Sequence, residues 1–234
     1  MSLVLAADYR VPDFDHWWAA LPGELPWLPG LGAHHVVVYR SLQDPSRVFV
    51  TIGVREHGPA AAGGLASAVD ALLRSPLMFS WFDSAGVDEI PPLFAGQVVE
   101  KLDLDPKTPS VAAPAVAAPP VAAPAVTGPS AAGAVIVAAI APVGRLEGLD
   151  RLRASIHAAV PRLAASGVRR FWIYRALDDQ AEVMILQEIA TERQAERWIR
   201  HPDAAASFMA AAGAGAYPPL FVGRLVQAIE VPGT

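Results

Sequence analysis

Gly32-Ala33-His34-His35-Val36-Val37-Val38-Tyr39-Arg40-Ser41-Leu42-Gln43-Asp44 returns, 135 residues further on, as Gly167-Val168-Arg169-Arg170-Phe171-Trp172-Ile173-Tyr174-Arg175-Ala176-Leu177-Asp178-Asp179. Each stretch opens on a glycine placed to end a helix. An apolar run suited to a strand follows, and then the polar residues of a hairpin turn. Extended outward, the two copies align from Phe14–Val50 to Leu149–Ile185 without a gap, with ten of 37 positions identical. The match returns near the copies' ends, where Pro91-Pro92-Leu93-Phe94-Ala95-Gly96 faces Pro218-Pro219-Leu220-Phe221-Val222-Gly223 at a spacing of 127. Copy 1 therefore carries eight extra residues, which the loop His57–Gly64 has room for. A duplication accounts for all of this.

Copy 2 shows the element order more clearly. Val135–Ala141 is a short apolar run suited to a buried strand. Leu146, Leu149, Leu152, Ile156, Val160 and Leu163 recur at helical spacing, so residues 145–165 form an amphipathic helix bent at Pro161. Val168–Tyr174 and Glu182–Ile189 are strands joined by a hairpin over 176–181. A second helix over about 191–212 and a last strand, 220–230, complete the order β-α-β-β-α-β, the split βαβ unit. Copy 1 repeats it, except that Pro22, Pro26 and Pro29 shorten its first helix and leave a Pro/Trp-rich loop. Both helices fall on one face of a four-stranded sheet, and the other, apolar face needs a cover. The other copy's sheet is the obvious one. The expected fold is α+β: tandem ferredoxin-like units pairing sheet to sheet as an intramolecular barrel.

The expected domains are copy 1 over 1–104, a linker over 105–133 and copy 2 over 134–234. The linker is almost wholly Ala, Pro and Val. Proline removes backbone donors and fixes φ, so the segment reads as a semi-extended tether with polyproline II character. A docking strip for a protein partner is the second reading.

Composition narrows the function. Hydrophobic residues make up 53% of the 234-residue chain, too many for a disordered one. No run approaches the roughly 18–20 apolar residues that span a bilayer, so no membrane association is expected. Met1–Ala7 lacks a basic segment and a cleavage pattern, so no secretory signal is expected and the cytoplasm is the default. Net charge is −5, and neither half has the basic footprint of a nucleic-acid binder. With no cysteine there is no disulfide framework, thiolate nucleophile or Cys-based metal site.

Asp13-Phe14-Asp15-His16-Trp17, the run Val38–Val48, Ser75-Pro76 and Ala85-Gly86-Val87 together resemble the dimeric α+β barrel superfamily. More narrowly they are similar to antibiotic-biosynthesis-monooxygenase-like or stress-responsive barrel proteins. The resemblance covers both copies and leaves out the linker. It implies the barrel fold, but the superfamily spans cofactor-free oxygenases, haem-degrading enzymes, isomerases and chlorite-handling haem proteins, so fold alone assigns no reaction. Its haem-degrading members place an Asn on the first strand, a Trp four residues before a Pro in the second helix, and a His five after that Pro. Here Trp198 and Pro202 keep that relation, but Ser207 stands where the His belongs. Leu72, Pro76 and Trp81 occupy the same places in copy 1, and neither first strand contains Asn. No cofactor is expected.

The candidate ligand-binding residues are His35, Tyr39, Arg170, Trp172 and Tyr174. Arg170, Trp172 and Tyr174 alternate along one strand face, with His35, Val37 and Tyr39 as counterparts in copy 1. Such a face offers an aromatic wall with a polar tip, suited to a flat apolar ligand. These aromatics filling the core is the plainer alternative. His34 and His35 are adjacent on a strand, where neighbours point to opposite faces, so no shared metal is expected. Tyr-Arg and the following Asp recur in both copies, which suggests an Arg–Asp contact supporting the hairpin. Trp17 takes a core position, whereas Trp18 is expected to be exposed. His157 and His201 are read as surface residues. No phosphate loop, dinucleotide pattern or nucleophile elbow occurs.

Three functions stay open: a non-catalytic barrel for assembly or for binding a small apolar or aromatic ligand; a cofactor-independent monooxygenase-like or isomerase-like enzyme on an aromatic or polyketide-like substrate; and a protein-interaction module using the linker and the Trp/Pro loop. A homo-oligomer or a domain-swapped dimer is compatible with the linker's length.

Overall fold

The computed structural model describes residues 2–23, 25–55, 64, 74, 76–87, 89, 91–104, 134–143, 146–201, 210 and 220–231. The linker, most of the His57–Gly64 loop and the end expected for copy 2's second helix lie outside the described residues, as do Ser75, Pro202, Ser207 and the Pro218-Pro219 pair.

The first copy runs β1 (Ser2–Arg10), α1 (Phe14–Ala20), two 3-10 segments (Leu21–Gly23 and Leu25–Leu31), β2 (Ala33–Ser41), β3 (Arg47–Arg55), α2 (Pro76–Ala85) and β4 (Leu93–Asp103). The second runs β5 (Val135–Pro142), α3 (Leu146–Ala165), β6 (Val168–Ala176), β7 (Glu182–Ile189), α4 (Glu192–Arg200) and β8 (Phe221–Glu230). The chain is α+β, with eight antiparallel strands among the described residues, and the β-α-β-β-α-β order occurs twice. Where a Pro/Trp-rich loop was expected, the chain instead coils as 3-10 turns. These tolerate the prolines because short 3-10 turns need fewer backbone donors.

The duplication extends to individual hydrogen bonds. Gly32 and Gly167 both sit at positive φ (78° and 96°), the conformation that ends a helix and that glycine adopts without strain. The carbonyl of Gly32 accepts from Arg55 N at 2.9 Å, and that of Gly167 from Ala190 N at 2.8 Å. In the hairpins, Asp44 O accepts from Arg47 N and Asp179 O from Glu182 N. The side chains of Asp44 and Asp179 also accept, from Ser46 N and Ala181 N. The recurring Asp is thus a turn residue. The expected Arg40–Asp44 contact is not made. Arg40 donates from Nε to Pro45 O at 3.0 Å, and its guanidinium lies 4.3 Å from the Phe14 ring. Asp44 pairs instead with Arg10 at 3.3 Å.

The chain divides into two compact units that trade strand segments between the copies. The first unit comprises Ser2–Gln97 and Gly223–Thr234; the second is built from Val98–Val222. In the first the strand order is β4-β1-β3-β2-β8, and in the second β8-β5-β7-β6-β4. Within the first unit, β1 pairs β3 through Leu5↔Ile52, and β2 pairs β3 through Val37↔Thr51. One face of this sheet carries Tyr9, which meets Trp17, Trp81 and Phe82 at ring-centroid separations of 5.9, 6.2 and 6.3 Å. Trp17 is fully buried there, as its core position implied. Trp18 is half-buried rather than exposed, because Phe14 stacks on it at 6.1 Å.

In the second unit, α3 packs against β6, and α4 against β5 and β7. Leu149, Leu152, Ile156 and Leu163 are buried at the spacing that the sequence showed, whereas Val160 is half-buried and Ala159 is buried beside them. Thr191 caps α4 by accepting from Gln194 N at 3.3 Å. No helix of the described residues is long and apolar enough to cross a membrane.

Candidate functional site

Cross-strand register assembles a site within the second unit. Arg170 pairs with Glu188, Trp172 with Leu186, and Tyr174 with Met184 across β6 and β7, so all six share one sheet face. Ile136, Ala138 and Ile140 of β5 continue the same face. Arg170, Trp172 and Tyr174 are half-buried, whereas Met184 and Glu188 are buried. At one end the Arg170 guanidinium forms an ion pair with Glu188, whose side chain keeps 8% of its exposure. The same guanidinium lies 5.4 Å from the Trp172 ring centroid, within cation–π range. At the other end, burial pushes the Tyr174 phenol above its ordinary value and keeps it protonated. Tyr174 is therefore a hydrogen-bond donor and not a base at neutral pH. The three expected residues of copy 2 do come together on one face.

The first unit carries the counterparts. His35 pairs with Gly53, Val37 with Thr51, and Tyr39 with Phe49. Asp8 of β1, opposite Phe49, belongs to this face as well. Arg47 Nε donates to both Asp8 carboxylate oxygens at 2.9 Å, and neither partner is more than a quarter exposed. Tyr39 is buried and has Phe49, not an open aromatic wall, as its cross-strand neighbour.

His34 and His35 correct the expectation that adjacent strand residues diverge. The register shifts between Ala33 and His35, a bulge that leaves His34 with no partner residue on β3. Both rings converge as a result, with Nδ1 atoms 2.7 Å apart and centroids 4.3 Å apart. A Cβ at position 53 would overlap the His35 ring, so Gly53 is what seats it. Burial, and then the neighbouring His34, lower the His35 pKa to about 4. Burial and Arg55 lower that of His34. The same shift occurs between Val168 and Arg170 in copy 2.

Glu188, Asp8 and Arg47 were not singled out from sequence. The one available signal was the polar pair Gln187-Glu188 after the apolar run Val183–Leu186, since a charge in such a strand needs a partner. His157 and His201 are exposed as expected; His157 lies 3.5 Å from Glu100, which also accepts from Arg153 Nε at 2.7 Å. Trp198 is half-buried. Among the described residues no group of three or more His, Asp or Glu converges.

No family model matches the chain, and no curated protein matches it. Among solved structures it is similar to an anthrone oxidase-like protein, with 13% identity and a TM-score of 0.63 over 98% of this chain and 93% of that one. It is also similar to a provisionally named monooxygenase from Fusobacterium nucleatum, at 6% identity and a TM-score of 0.55, over 100% and 96% of the two chains. A provisionally named chlorite dismutase matches at 15% identity and a TM-score of 0.50, over 97% and 95%. At such identities the likeness speaks for fold alone. That fold is the dimeric α+β barrel, here with both ferredoxin-like copies in one chain.

Proposed function

We propose that this is a small-molecule-binding tandem barrel protein of the cytoplasm. Its copies span 1–104 and 134–234, and it holds a flat apolar or aromatic ligand against the second unit's face of Arg170, Trp172, Tyr174 and Glu188. The observation that carries the reading is the register of β6 on β7, which sets the half-buried Trp172 ring between a paired guanidinium and the protonated phenol of Tyr174, itself a half-buried ring. The rings offer stacking area at little entropic cost, and the phenol donates to a ligand carbonyl. Pairing of Arg170 with Glu188 leaves that end near neutral, which favours an uncharged ligand over a carboxylate. Binding without turnover is favoured because Tyr174 is held as a donor and Glu188 is committed to an ion pair.

The name of the anthrone oxidase-like structure supports the ligand class, since an anthrone is a flat three-ring ketone. It also motivates the second reading, a cofactor-independent oxygenase, in which anthrone and O2 would give anthraquinone and water. Titration with anthrone, followed by tryptophan quenching in the wild type and in Trp172→Phe, tests the first reading. Saturable quenching that Trp172→Phe removes supports it, and equal quenching in both proteins rejects it. Protein-dependent oxygen uptake under the same conditions would replace binding by catalysis.

A further inference from the structure

The bulge at the start of β2 points to a second site, unrelated to the aromatic face. We infer that His34 and His35 form a two-imidazole site for a divalent copper ion, chelated through both Nδ1 atoms and open at its remaining positions. The inference rests on the convergence of the two Nδ1 atoms to 2.7 Å, which ordinary strand geometry would not allow.

The donor type selects the ion. Imidazole nitrogens suit copper, nickel and zinc, and among the divalent first-row ions Cu(II) binds a given nitrogen site most tightly. The 2.7 Å between the Nδ1 atoms is the hydrogen bond that joins the rings in the ion-free pair and brings both donors within reach of one ion. Hard oxygen-seeking ions have no carboxylate cluster here, since no third His, Asp or Glu converges among the described residues. The coordination sphere is thus completed by solvent or by an added ligand.

Proton balance is straightforward. In the ion-free pair one Nδ1 carries the hydrogen and the other accepts it; on binding, that proton moves to Nε2 of its own ring, and both Nδ1 lone pairs face the ion. Gly53 is a positioning residue, because only a residue without Cβ leaves room for the His35 ring. Copy 2 repeats the bulge with Arg169 and Arg170, which are not metal donors, so one site per chain is expected.

The test uses the full chain, stripped with EDTA and dialysed, and titrated with Cu(II) by calorimetry against glycine as competitor, with electron paramagnetic resonance in parallel. One tight Cu(II) per chain, with hyperfine splitting from two imidazole nitrogens, is the expected result. His34→Gln and His35→Gln should each remove one nitrogen from the spectrum. Gly53→Ala should weaken binding about 10–100-fold with both ligands present, as loss of a supporting contact does. The surface variant His157→Gln/His201→Gln should bind as the wild type does. A tight site surviving in His34→Gln/His35→Gln, no tight site in the wild type, or Zn(II) binding tighter than Cu(II) would each overturn the inference. His34 is the more exposed ring, so His34→Gln alone decides if His35 or Gly53 variants do not fold.

Discussion

Replacing Glu188 by alanine leaves the Arg170 guanidinium with 19% of its exposure and without its carboxylate. Removing one partner of a buried pair costs about 3–5 kcal/mol, because the remaining charge is poorly solvated. Arg170 is not wholly dry and keeps the Trp172 ring 5.4 Å away, so the lower end applies, about 3 kcal/mol. For a chain of this size that is a fall of about 6–12 °C in Tm. Urea denaturation followed by far-ultraviolet circular dichroism is the suitable assay, since guanidinium salts would screen the pair under study. Arg170→Met combined with Glu188→Leu removes both charges and should return to within about 1 kcal/mol of the wild type. If Arg170→Met and Glu188→Ala instead cost little singly and add within about 0.5 kcal/mol when combined, the two residues are not coupled, and the reasoning fails.

Tyr174 has its phenol pKa raised, so the folded state holds a proton that the unfolded state releases above about pH 10. Its contribution is fully present below that pH and is lost as pH rises beyond it; phenolate absorbance should show one more un-ionised tyrosine in the folded wild type than in Tyr174→Phe. Gly32→Ala should cost about 1–2 kcal/mol from positive φ alone, and Gly167→Ala more, because a Cβ there also strikes the Gln194 carboxamide; thermal melts of the two variants rank them. Gly53→Glu alone sets a carboxylate against the His35 ring and should unfold the protein at lower urea, whereas His35→Arg added to it rebuilds copy 2's ion pair and restores the midpoint. If the double variant stays as unstable as the single one, the two bulges are not equivalent.

The apolar run Val36-Val37-Val38-Tyr39, the terminating glycines and the recurring turn aspartates were enough to read element order and the duplication, because each acts through local backbone geometry. Glu182–Ile189 and the helix ending before Gly167 lie where spacing put them, and Trp172 and Tyr174 share a face because period two demands it. The ion pairs were not legible. Arg47 meets Asp8 across 39 residues, and only the pairing register decides that they face each other. Arg40 illustrates the same limit: an acidic residue four positions on looked like its partner, yet the turn needs that carboxylate for its own amides, and Arg40 bonds a carbonyl.

Most consequential is the bulge, which no hydrophobic period reveals, since one extra residue changes which side chains share a face without changing composition. It sits at the same place in both copies, after Ala33 and after Val168, yet its contents have diverged. In copy 2 the bulge aims a guanidinium at Glu188; in copy 1 the residue opposite is Gly53, and the space left by the missing carboxylate is filled by an imidazole. An arginine at position 35 would face Gly53 on β3 where copy 2 has a buried carboxylate, and a histidine at 170 would leave Glu188 buried with a weaker partner. Each pair of residues therefore fits only its own copy. An assembly of identical subunits must carry the same bulge chemistry in every copy. A single chain with two copies is free of that constraint, and here one bulge holds a fixed ion pair beside an aromatic wall while the other presents two neutral nitrogens.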